Sequence, residues 1–68
     1  MTRFTDRTIR SDKQWVKITR DNQRRTFCFA RGYVGAAAAH ELETLSMKWV
    51  ANWAEATERA HRAIATYE

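Results

Sequence analysis

Hydrophobic and polar residues alternate with period two through the first half of the chain, then recur at steps of three and four through the second. From Gln14 to Arg20 the sequence QWVKITR sets Trp15, Lys17 and Thr19 on one side and Val16 and Ile18 on the other. From Arg25 to Arg31 the sequence RTFCFAR sets Phe27 and Phe29 against Thr26, Cys28 and Ala30. Alternation rich in aromatic and β-branched residues predicts strands. Asp21-Asn22-Gln23-Arg24 joins them, and Asp and Asn favour a tight hairpin turn there. An earlier strand over residues 4–10 follows from its Thr, Phe and Ile content, with Ser11-Asp12-Lys13 as its turn. Its alternation is poor, because Phe4 and Ile9 fall on opposite faces.

Beyond Gly35 the period changes. Ala38, Leu42, Leu45, Trp49, Trp53, Ala56, Ala60, Ile64 and Tyr67 form one helical stripe, opposite Glu41, Lys48, Asn52, Glu55, Arg59 and Arg62. The run is rich in Ala and free of Pro, which predicts a helix from Ala36 to Tyr67. The expected fold class is α+β: a two- or three-stranded antiparallel sheet, then one long C-terminal α-helix packed on one face. Residues 1–68 then make one domain, with 1–34 as a basic sheet half and 35–68 as the helix.

Such a helix is about 48 Å long, whereas the strands reach only about 25 Å. One resolution is a break near Ala51, where Asn52 and Glu55 have the spacing of a capping box. The stripe keeps its phase through Trp49 and Trp53, which favours a continuous helix. A continuous helix needs a partner over its overhang, and Met47, Val50 and Ala54 widen its apolar arc. Met47, Val50, Trp53, Ile64 and Tyr67 are therefore candidates for a partner interface, including a homodimer.

At 68 residues the chain holds one small core. The single Cys excludes an intrachain disulfide and a Cys-based zinc site. No apolar run is long enough to span a membrane, and the N-terminal MTRFTDRTIR has no signal core, so a cytoplasmic (host-cell) setting is expected. Charge is more informative. Residues 1–34 carry a net +6 and residues 35–68 a net −2, within a total of +4. This asymmetry directs the sheet half toward an anionic partner.

Catalytic patterns are absent: there is no GxGxxG, Walker loop, HExxH or CxxC. His40 and His61 would stand about 30 Å apart on one helix, too far to share a metal. Cys28 has no neighbouring His to activate it. Neither an enzyme nor a cofactor is expected, which leaves binding. If Val16, Ile18, Phe27 and Phe29 face the helix, the outer face presents Trp15, Lys17, Thr19, Arg24, Thr26 and Cys28. Cations, hydroxyls and an exposed indole suit phosphates and base edges, and a β-ribbon fits a major groove. The candidate binding set is Arg7, Arg10, Trp15, Lys17, Thr19, Arg24, Arg25, Thr26 and Arg31.

Two resemblances extend this reading. The order of a first strand, WVKI, the DNQRR turn, RTFCF and an Ala-rich helix resembles the AP2-type and integrase arm-type DNA-binding domains over residues 7–50. That resemblance implies duplex DNA as partner, contacted by Arg7, Arg10, Trp15, Lys17, Arg24 and Thr26. The predicted helix is longer than in those domains, and their Gly before the last strand's aromatic residue is missing. The second set is Val16, Ile18, Arg20 and Asp21, then Gly35 to Ala39, then Met47 and Trp49. It is similar to the small type I-F anti-CRISPR proteins of phages and covers about half the chain. That resemblance implies an inhibitor that docks on a CRISPR-Cas effector, or another host nucleic-acid-processing complex, and blocks DNA binding or nuclease recruitment. The two readings are weighed with the inhibitor first and the DNA-binding module as its alternative.

Overall fold

The computed structural model describes residues 2–67, and side chains as far as Thr66. It contains β1 (Phe4–Arg10), β2 (Gln14–Asp21), β3 (Thr26–Tyr33), β4 (Ala39–Ser46) and α1 (Trp53–Tyr67). The strands form one antiparallel sheet in the order β1-β2-β3-β4. The α+β class and the single C-terminal helix are as expected, but the sheet has four strands rather than two or three.

The hairpin of β2 and β3 forms the centre. Ile18 stands opposite Phe29 and Arg20 opposite Phe27, so the apolar sets of both strands share one face. Val16, Ile18, Phe27 and Phe29 are buried there. Against them pack Ala56, Ala60 and Ile64 of α1, and Val50 from the preceding connection. Ala at 56 and 60 leaves room for close approach, and α1 lies mainly over β2 with a lesser contact to β1. The opposite face of the sheet is open to solvent, as one-sided antiparallel sheets commonly are.

The largest departure from the sequence reading is at residues 36–52. No helix runs from Ala36 to Tyr67; residues 39–46 form the edge strand β4, paired with β3 from Ser46 opposite Thr26 to Ala39 opposite Gly32. Gly35, at φ 87°, turns the chain back toward β3. A β-bulge between Phe29 and Ala30 leaves Leu42 as the extra residue, with Glu43 opposite Phe29 and Glu41 opposite Ala30. This insertion spoils the period of two in β4, so Leu42 and Leu45 mimic helical spacing.

Asn52 and Glu55 then start the helix. Asn52 Oδ1 accepts the Glu55 N–H at 3.0 Å, and Glu55 Oε2 accepts the Ala51 N–H at 2.8 Å. This is a near-reciprocal capping box shifted by one residue. The 15-residue helix spans about 22 Å and matches its sheet, so no overhang remains. Val50 and Ile64, expected at an interface, are buried in the chain's own core. Met47 and Trp53 are half-buried against that core. The side chain of Tyr67, the last member of that set, lies outside the described residues.

Candidate interaction surfaces

The nine residues of the candidate binding set do not share one surface. Arg7 and Arg31 stand on the helix side. The Arg7 guanidinium lies 4.6 Å from the centroid of the Trp53 ring. Arg31 donates to Gln14 Oε1 and to the Tyr33 hydroxyl, each at 3.1 Å. Arg31 is thus engaged within the chain, while the exposed Arg7 covers the Trp53 ring. Arg20, also on this side, lies 5.8 Å from the centroid of the Phe27 ring, and Phe27 meets Trp53 edge to face at 5.2 Å.

Arg10, Trp15, Lys17, Thr19 and Thr26 do lie on the open face. Trp15 is half-buried because its indole covers Gly32 on the neighbouring strand. A Cβ at Gly32 would stand 2.2 Å from Trp15 Cζ2. The ring thus fills the gap left by a glycine in β3, a packing role set by the Trp15–Gly32 register. Lys17 is 3.7 Å from Asp6 on the same face. Glu41 accepts from Thr44 Oγ1 at 3.3 Å and lies 3.9 Å from Cys28 Sγ. With Asp6 and Glu41 among its cations, this face is close to neutral.

Arg24 and Arg25 occupy the tip of the β2–β3 hairpin. Asp21 Oδ1 shapes that tip by accepting the N–H groups of Gln23 and Arg24, each at 3.0 Å. The Arg24 N–H holds the Asp21 carboxyl below the usual carboxylate range. Partial burial opposes this, while the Arg3 side chain and the Gln23 N–H reinforce it. Arg25 closes the tip at φ 55°, in the left-handed region where Gly or Asn is usual. The Arg25 carbonyl accepts the Met47 N–H at 3.1 Å, joining the tip to the turn after β4. In that turn Ser46 O accepts from Trp49 N–H at 2.9 Å, and Ser46 Oγ from Lys48 N–H at 3.2 Å.

The same turn carries a residue that sequence reasoning placed in the helical stripe. Trp49 is 80% exposed, far more than the other large apolar side chains on the surface. It borders a hollow of about 200 Å³ shared with Val50, Glu55, Glu58, Arg59 and Arg62. Arg59 is fixed by a 2.7 Å ion pair to Glu43 on β4. The available signal was the capping box at Asn52: a helix that starts there cannot carry Trp49 in its stripe.

Among the described residues, no group of three or more His, Cys, Asp or Glu could hold a metal ion. No helix is long and apolar enough to cross a membrane. No family model matches the chain, and neither a curated protein nor a solved structure matches it.

Proposed function

We propose that the protein acts by docking on another protein through Trp49, as a non-enzymatic inhibitor of the anti-CRISPR kind. The partner in this reading is a CRISPR-Cas surveillance complex, whose target DNA binding or nuclease recruitment the docked protein blocks. The observation that carries the docking is the 80% exposure of an indole on a hydrogen-bonded turn. Trp is among the residues most enriched at interface hot spots, and it loses little conformational freedom when the backbone beneath it is already ordered. Glu55, Glu58, Arg59 and Arg62 border it with both signs of charge, a polar rim that suits a protein surface. The near-neutral open sheet face, with Trp15 occupied by Gly32, gives less support to a major-groove reader.

The test is capture of a purified type I-F surveillance complex by the immobilised protein, comparing the parent chain with Trp49→Ala. The parent should retain the complex, and the variant should bind at least about 30-fold more weakly, as loss of a hot spot implies. Equal retention by both would remove Trp49 from the docking site. No retention by the parent would reject the partner.

A further inference from the structure

We infer that the hairpin end of the molecule is a second binding site, for the phosphodiester backbone of a nucleic acid. Arg24, Arg25, Ser46, Met47 and Lys48 line one hollow of about 390 Å³. It is built from two turns that the end of the β3–β4 ladder, Thr26 opposite Ser46, and the hydrogen bond from Met47 N–H to the Arg25 carbonyl hold side by side. None of its lining residues is acidic. The nearest carboxylates along the chain, Asp21 and Glu43, are already engaged, Asp21 by two N–H groups and Arg3, and Glu43 by Arg59.

Elsewhere Arg3, Lys17, Arg59 and Arg62 meet carboxylates, and Arg7, Arg20 and Arg31 lie over aromatic rings. Among the described residues, the Arg24, Arg25 and Lys48 side chains have no such partner. Among the described residues Arg10 and Lys13 also lack a carboxylate or ring partner, but Arg24, Arg25 and Lys48 combine that lack with a shared hollow. Three like charges around one hollow repel each other, and a polyanion relieves that repulsion. Arg25 adds an independent sign, because a β-carbon in the left-handed region is strained where Gly would fit freely. Strain retained at a charged tip points to use of the side chain.

The donor set also indicates the ligand. The hollow offers two guanidinium groups, an ammonium and a hydroxyl, with no side-chain carboxylate to accept a bond. A protein surface mixes donors with acceptors and would leave its own donors unmet here. A phosphodiester backbone carries acceptors and regular negative charge, which guanidinium groups bind in bidentate fashion. The lining of this hollow includes none of Arg10, Trp15, Lys17 and Thr19 of the open face, nor Trp49.

The test is fluorescence anisotropy with a labelled single strand and its duplex across a salt series, using the full chain. Lys48→Ala and Lys13→Ala remove the same charge from opposite ends of the sheet, about 25 Å apart and beyond the Debye length. Lys48→Ala and Arg24→Ala should each lower the slope of log affinity against log salt by about 1, and Lys13→Ala should leave it unchanged. Arg25→Gly should weaken binding while the Tm stays equal or rises, which separates the charge from the fold. A stronger hold on single strand or on duplex identifies the nucleic-acid source. Equal losses from Lys48→Ala and Lys13→Ala, or no binding by the parent at low salt, would overturn the site. So would a labelled poly-glutamate probe that binds as tightly and depends on the same residues, since the ligand would then be an acidic polypeptide.

Discussion

Trp53 and Trp49 lie four residues apart and meet opposite environments. Trp53 stands at the first turn of α1, edge to face with Phe27 and under the Arg7 guanidinium. Trp49 stands on the turn after β4 with four-fifths of its surface in water. The cations divide in the same way. On the helix side of the sheet Arg7, Arg20 and Arg31 are folded onto rings, whereas at the hairpin end Arg24, Arg25 and Lys48 are unmatched. Identical residue types thus serve the interior in one region and remain available in the other. For the two tryptophans, position relative to the helix start decides which, not residue type.

Substitutions on the two sides should therefore separate cleanly. The largest effect is expected for Phe27→Ala, which opens a cavity between β3 and α1 and removes the ring that Trp53 contacts. A loss of about 3–5 kcal/mol in urea unfolding is expected, and a loss under about 1 kcal/mol would mean that the core lies elsewhere. Next comes Gly32→Ala, whose methyl group would overlap the Trp15 indole. It should destabilise by about 1–3 kcal/mol through overpacking, and Trp15 fluorescence should shift to the red as the ring leaves its strand. Asn52→Ala removes the helix cap and should cost about 1 kcal/mol, with the helical far-UV circular dichroism signal falling at a lower temperature than in the parent. Trp49→Ala should be smallest, within about 0.5 kcal/mol of the parent. A large loss from that last change would erase the distinction and return Trp49 to a structural role.

Much of the sheet was legible from the chain. Residues 4–10 form β1 as expected even though Phe4 and Ile9 face opposite ways, because an edge strand has little to bury. The β2 and β3 predictions over 14–20 and 25–31 differ from the observed strands by only one or two residues at their ends. Residues 36–52 depart from the expected helix for an identifiable physical reason. Helix propensity and spacing describe a chain taken alone, whereas AHELETLS gains its backbone hydrogen bonds from β3, seven or more residues earlier. The bulge at Leu42 then removed the alternation that would have revealed the strand. The capping box at Asn52 and Glu55 was visible, but the unbroken stripe outweighed it. Of the candidate binding residues, Arg24 and Arg25 are the two that the fold brings to an acid-free hollow. Nothing local to the sequence shows Lys48 beside them, since the pairing of β3 with β4 creates that proximity.

The bulge between Phe29 and Ala30 also bears on how crowded copies of this chain behave. A flat edge strand offers an unbroken row of N–H and C=O groups on which another chain can align and extend the sheet. In β4 the extra residue bends that row and interrupts its spacing, while Glu41, Glu43 and His40 place polar side chains along the same strand. At the opposite edge β1 carries Asp6, Arg7 and Arg10 and two threonines among its seven residues. Neither border is a good template for sheet growth. Edge-to-edge stacking of copies is thereby disfavoured while the turns stay accessible.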